Sequence, residues 1–398
     1  MKREEILNAA NEILAEIIEI RREIHRHPEI GHKEFKTTEL IKKKLTEYGV
    51  DEFQSCLETG AVALIRGSED GPCVALRADI DALPVSEETG LPYSSEVPGM
   101  MHACGHDMHA AMLLGTAKIL CGMRNEFKGT VKLIFQPSED TLPGGAKAMV
   151  ENGVMENPHV DGIFGLHVLP HKSDIGKISF HQGPLTTSVD LFDVTVKGKG
   201  GHGSTPHLTK DPILAACQMV TLLQQIPARY INPMETVIFP VCSIHSGDAP
   251  NVIPDEAKFS GIARAYVPEV RKAVAEQVME IAKGVEMISG ASIHVHHYEG
   301  YPACFNNPEM TMNTMEAVKG VLGSDRVFED KDPASFSEDF SYFTETTDTP
   351  GTYMFLYAGH EGDETVALHN PKCAMKEEAM PYGMTAMITA ALNFLATH

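Results

Sequence analysis

The 398-residue sequence predicts an α/β protein in two domains: a sheet with crossover helices, interrupted by an inserted α+β domain of ferredoxin-like order. Three observations predict it. Apolar runs of strand length alternate with helical periodicity up to about residue 187. From 188 to 299 the order changes to βαββαβ, and after 300 the alternation of helix and strand resumes. The chain is also longer than the roughly 100–200 residues of one ordinary domain.

Residues 4–26 read as one amphipathic helix, with Ile6, Leu7, Ile13, Leu14, Ile17, Ile18 and Ile24 at helical spacing and His27-Pro28-Glu29-Ile30-Gly31 as its stop. A helix over 37–48 ends at Gly49, and strands over 61–66 and 73–77 follow, the second running into Asp79-Ile80-Asp81. A loop rich in Gly and Pro leads to Met101-His102-Ala103-Cys104-Gly105-His106-Asp107-Met108-His109, after which 110–120 has the small and apolar residues of a buried helix. A strand over 130–135 ends at Gln136-Pro137-Ser138-Glu139-Asp140, 146–151 is helical, and 162–168 is a strand that carries His167 near its end. The inserted domain reads as strand 188–197, helix 212–226, strands 235–243 and 257–266, helix 270–289 and strand 291–298. Beyond it lie a helix over 309–322, a strand over 353–356 and a terminal helix from about 379. The domains are therefore 1–187 with 300–398, and 188–299.

A formal charge of -22 excludes a phosphate backbone as the natural partner and disfavours anionic membranes. The first residues are charged and no apolar h-region follows, so no secretory signal is read, and no apolar run reaches the roughly 18 residues of a membrane span. Eight scattered cysteines without a C-x-x-C pair suit a reducing compartment, so the expected location is the cytoplasm.

The nonapeptide 101–109 concentrates soft and borderline metal ligands. A lone Cys104 is more often a small buried hydrophobe, but His106 two residues on lets both side chains reach one site from an extended turn. His102 and His109 fit helix-start or supporting roles, Asp107 can orient a ligand histidine, and His25 and His27 fit capping or packing of the first helix. Asp79, Asp81, Glu139, Asp140 and His167 all sit where strands end, which is where open α/β sheets form sites. Adjacent acids such as Glu139 and Asp140 can divide labour, one binding metal and the other acting as a base. The glycine-rich loop 198–207 carries His202 and His207; it is equally a hairpin-like turn and an arm presenting imidazole to a substrate. His369, alone before a turn, reads as a surface residue.

Taken together, RREIHRHPEIG, LRADIDALPV, MHACGHDMHAAMLLGTAK, IFQPSED, GGAKAMVENGV, GLHV, GKGGHGSTPH, NVIPDEAKFSGIAR, SEDFSYF and LHNPK resemble the di-metal aminoacylase and carboxypeptidase superfamily, most closely the branch of hippurate hydrolase and the auxin-conjugate hydrolases. The resemblance covers essentially the whole chain. It implies a metallopeptidase-type three-layer catalytic domain and a smaller lid and dimerisation domain. It also implies two divalent metal ions (Zn, Mn, Co or Ni) held by Cys104, His106, Asp140, His167 and His369. Glu139 matches the general base, Asp79 the aspartate supporting the metal site, and His202 the histidine that stabilises the oxyanion. Asn251 and Arg264 match residues that hold the substrate carboxylate, a group well suited to an arginine fork, and His207 is a further substrate contact. The family usually has Glu-Glu where this chain has Glu139-Asp140, glycines where it has Thr141-Leu142-Pro143, and alanines where it has Gly203-Ser204-Thr205.

The implied reaction is hydrolysis of the amide of N-acyl amino acids, by a homodimer or a dimer-based assembly. The alternative within enzymes is a dipeptidase or carboxypeptidase using the same centre. A binding protein that kept the fold and a structural zinc module are the readings from other classes; the latter predicts four closed ligands and no separate base.

Overall fold

The computed structural model describes residues 3–170, 174–360 and 366–398. The chain forms two compact units. The larger comprises 1–185, 305–333 and 339–398; the smaller comprises 186–304 together with the short segment 334–338.

The larger unit is built on an eight-stranded mixed sheet. Its order is Glu52–Cys56, Gly60–Arg66, Thr130–Gln136, Cys73–Asp79, Gly162–Leu169, Gly351–Tyr357, Lys177–Phe180 and Val327–Glu329. The central strands run parallel and are buried on both faces, as a covered sheet requires. Helices His106–Gly122 and Met380–Thr397 pack on one face, and the first of them is buried nearly all round. Gly162 meets Phe394 of the terminal helix on that face, while Gly165 meets Tyr353 and Phe340 on the other.

The expected helix over 4–26 is two helices, Arg3–Glu12 and Leu14–Arg26, broken at Ile13, where ψ relaxes to −1°. The nonapeptide is not extended throughout: the helix begins at His106, four residues before the predicted start at 110. The strand expected over 235–243 is two short ones, Val237–Ile238 and Val241–His245.

The smaller unit is an antiparallel sheet in the order Val237–Ile238, Glu256–Ala265, Asp190–Lys197, Ser292–Glu299, with Val241–His245 also paired to Glu256–Ala265. Burial alternates along Asp190–Lys197, so Phe192, Val194 and Val196 face helices Pro212–Leu223 and Pro268–Ser289 in one core. Asp211 caps the first of these helices by accepting the N–H groups of Ile213 and Leu214.

Candidate metal centre

Register brings the chemistry to one end of the larger sheet. Cys73–Asp79 pairs with Thr130–Gln136 so that Asp79 lies opposite Gln136, and with Gly162–Leu169 so that Arg77 lies opposite Gly165. Asp79 to Asp81, Ser138 to Asp140 and His167 therefore emerge together at the carboxyl ends of parallel strands. Between Cys104 and His106 the chain turns at Gly105, with φ +88°; a Cβ there would lie 2.4 Å from Val168 Cγ2. His369 arrives from far along the chain and is fastened by its N–H to the Ala103 carbonyl at 2.9 Å.

Cys104, His106, Asp140, His167 and His369 come together. Cys104 Sγ lies 3.4 Å from His167 Nε2 and 3.3 Å from His369 Nε2. His369 Nε2 is 3.2 Å from Asp140 Oδ1, and His106 Nε2 is 3.9 Å from Asp140 Oδ2. Two groups of three donors share the thiol: Cys104, His106 and His167, and Cys104, Asp140 and His369. Such separations are those of donors around an ion at about 2.0–2.3 Å.

The imidazoles are presented in ligand form. His106 Nδ1 faces the Asp81 carbonyl at 3.0 Å, and His167 Nδ1 faces the Val168 carbonyl at 2.7 Å, contacts that suit an Nδ1–H donor and leave Nε2 as the atom to meet an ion. His106 Nε2 and Asp140 Oδ2 are buried and have no hydrogen-bond partner among the described residues, an arrangement that a cation completes. Burial, then the charge of Asp140, pushes the Cys104 thiol well above its ordinary range. Burial, then His109, holds His167 well below its range and hence neutral. Burial also opposes charge on His106, but the Asp79 carboxylate outweighs it and lifts that residue. A divalent ion reverses this balance by supplying positive charge to thiol and carboxylates alike.

Glu139 is 5% exposed, and its Oε1 accepts the Asp339 N–H at 3.4 Å. Its backbone is held from below. Ser138 N–H donates to Glu34 Oε1 at 2.8 Å, Glu139 N–H to Asp81 Oδ1 at 2.9 Å, and Asp140 N–H to Asp81 Oδ2 at 3.0 Å. Three successive N–H groups thus end on two buried carboxyl groups. Asp79 accepts the His109 ring N–H and Arg77 Nη1, the latter at 2.7 Å, and lies with His106 and His109 in a further group of donors. Asp107 does not orient His106. Asp81 does that, while Asp107 pairs with Arg21 and His25.

The other predicted site residues lie in the smaller unit. His202 is exposed, and its Nδ1 accepts the Ser204 N–H at 3.1 Å, so the ring proton is on Nε2. The strand Gly201–His202 pairs with Val252–Ile253, and the Gly203 N–H donates to the Asn251 carbonyl at 2.9 Å, which sets His202 beside Asn251. His207 is exposed in the turn Pro206–Leu208. Arg264 is half-buried, donates to Ser337 Oγ at 2.7 Å, and has no carboxylate partner among the described residues. Burial lowers its guanidinium below the usual range.

Sequence reasoning passed over three supports of the centre: Asp81 as a clamp, Arg77, and Asp339, which accepts Arg77 at 3.0 Å, Gln136 at 2.7 Å and the Ala146 N–H at 3.0 Å. The alternation Asp79-Ile80-Asp81 and the SEDF motif were their only traces.

The profile of peptidase family M20/M25/M40 matches residues 75–393. Thermostable carboxypeptidase 1 of Saccharolobus solfataricus is 40% identical over 98% of both chains. N-acetylcysteine deacetylase of Bacillus subtilis is 38% identical over 96% of this chain and 97% of its own. Among solved structures, the Bacillus subtilis YXEP protein, a dinuclear metal binding peptidase from the M20 family, superposes with a TM-score of 0.83 at 34% identity, over 98% of this chain and 100% of its own. With the fold, the donor set and these relatives in agreement, the chain belongs to peptidase family M20/M25/M40.

Proposed function

We propose that the protein hydrolyses the amide bond of N-acyl amino acids, releasing a carboxylic acid and a free amino acid, with two divalent metal ions as cofactors. The observation that carries this reading is the Cys104 thiol common to two ligand groups, with Glu139, adjacent to the ligand Asp140, outside both groups. A closed structural zinc site has four ligands and no separate acid.

In this reading Cys104, His106, Asp140, His167 and His369 hold the ions, and Asp79 supports them through His109. When bound, such ions supply Lewis-acid polarisation of the acyl carbonyl and acidify water near neutral pH. Glu139 takes a proton from the attacking water and returns it to the leaving amine nitrogen. His202 donates its Nε2–H to the developing oxyanion, a term worth several kcal/mol in a dry site. Arg264, which has no carboxylate partner among the described residues, receives that of the substrate together with Asn251, and His207 is a further contact. Zinc, manganese, cobalt and nickel all suit the mixed S, N and O donors. Eight cysteines, all free, support a cytoplasmic location, and exposed Met279, Met287 and Ile288 on the helix Pro268–Ser289 support a dimer through the smaller unit.

The named carboxypeptidase relative favours a second reading, cleavage of peptides at the same centre. A panel of N-acetyl and N-benzoyl amino acids against dipeptides, each with zinc, manganese, cobalt and nickel, separates the two. Faster turnover of dipeptides would replace the first reading with the second. Glu139→Gln should keep its metal content and lose roughly 10²–10⁴-fold in kcat; near-full activity would remove Glu139 from the role of base.

A further inference from the structure

The helix Leu14–Arg26 carries charged residues that no step of the proposed reaction uses. Arg21 is 2% exposed. Its Nε donates to Asp107 Oδ2 at 2.6 Å, and its Nη1 to the Tyr93 hydroxyl at 2.8 Å and to Glu377 Oε1 at 3.1 Å. His25, on the same face, donates Nδ1–H to the same Asp107 oxygen at 2.8 Å. Arg22 takes both oxygens of Glu377, through Nε at 3.0 Å and Nη2 at 2.7 Å. Asp107 is fully buried and directly follows His106, while Glu377 lies on the segment downstream of His369.

A buried ion pair contributes little net stability over an apolar pair of the same shape, so the value of this network lies in the geometry it imposes. What it fixes is the backbone on which metal ligands stand. We infer that Arg21 and His25 are positioning residues for the ligand turn. They hold Asp107, and through it Cys104-Gly105-His106, while Arg21 and Arg22 together hold Glu377 and the segment leading from His369. One helix thereby sets the spacing of two ligand-bearing segments, whose donor atoms must reach an ion to within about 0.2 Å of the standard metal–ligand distances. The inference rests on the proposed reading of Cys104, His106 and His369 as ligands.

Two variants of the full chain test it, each stripped of metal and reloaded with Co²⁺. Arg21→Lys keeps the charge but cannot hold Asp107, Tyr93 and Glu377 with one ammonium. Asp107→Asn keeps the shape and removes the charge. Affinity is read by competition with a chelating dye, and ligand geometry by the cobalt–thiolate absorption. Lys132→Met is the destabilising control; that buried ammonium donates to the Val154, Glu156 and Pro158 carbonyls, outside the network. Arg21→Lys and Asp107→Asn should be folded without metal by circular dichroism, bind Co²⁺ about 10–100-fold more weakly and show an altered spectrum. The control should melt earlier yet bind as the wild type does. Wild-type affinity and spectrum in both variants, whatever their melting midpoints, would overturn the inference. Should Arg21→Lys fail to fold, Asp107→Asn and His25→Gln decide the matter, because both retain Arg21. A wild-type chain that binds no Co²⁺, or a Cys104→Ala variant with an unchanged spectrum, would instead overturn the ligand assignment itself.

Discussion

At Asp81 one side chain receives the N–H groups of both Glu139 and Asp140, and together with its own carbonyl it receives His106 Nδ1–H. Burial opposes its charge, but the His106 ring and the Glu139 N–H prevail and hold the carboxyl below its ordinary range. Asp81→Asn replaces one acceptor by a donor that faces an N–H. It should cost about 1–3 kcal/mol in urea unfolding and weaken metal binding roughly 10–100-fold in chelator competition; an unchanged unfolding midpoint would show that the clamp is dispensable. The proposed ligands were legible to different degrees. Cys104 and His106 stand out because two soft donors share one turn, whereas His369, alone before its turn, was legible only through the family resemblance, and its N–H bound to the Ala103 carbonyl is what brings it to the centre. Asp81 and Arg77 were hidden for another reason. Their roles depend on partners distant in sequence, and nothing in the chain separates a buried clamp from a solvated charge.

The turn at Gly105 is the element on which the nonapeptide depends. Gly105→Ala meets a left-handed backbone and a contact of 2.4 Å with Val168 Cγ2, so a loss of at least about 1–3 kcal/mol is expected, together with reduced metal content by elemental analysis. The loop following the strand ends is tied to the helix Leu14–Arg26 through Glu87, which is 4% exposed at its side chain. Burial opposes its ionisation, but hydrogen bonds from His25, Thr89 and the Ser95 N–H outweigh it and hold the carboxyl at about 2, against 4.5 when free. Its stabilising contribution is therefore complete above pH 4.5 and is lost as the pH falls towards 2. Glu87→Gln should flatten the acid limb of a pH–stability curve by about 3 kcal/mol; an unaltered limb would show that Glu87 does not set it. Long elements were legible because periodicity needs length. Strands such as Gly201–His202 and Val252–Ile253 are two residues each and carry no pattern to read, and the break at Ile13 interrupts a spacing that continues on both sides of it.

For the whole molecule, the order of elements already implied an inserted unit, because the change of pattern near 188 reflects two different cores. What the pattern could not show is that 334–338 belongs with the smaller unit, a stretch without regular structure that joins it by contacts alone. All five proposed ligands lie in the larger unit. Calorimetry of the chain with and without chelator should accordingly show the transition of the larger unit falling while that of the smaller stays in place. The stabilisation removed is about 4 kcal/mol for an ion present at a thousand times its Kd. A uniform fall of both transitions would indicate that the units melt as one.

The anchoring of His369 to Ala103 also has a consequence for synthesis. A nascent chain exposes Cys104, His106, Asp140 and His167 long before His369 exists, and at about 5–20 residues per second the interval is roughly 10–40 s. During that time the thiol and imidazoles stand without their last companion, and the helix Met380–Thr397 that covers the sheet is still to come. Of the two proposed ligand groups that share Cys104, only the one that includes His369 waits for the final stretch of the polypeptide; Cys104, His106 and His167 are all made earlier.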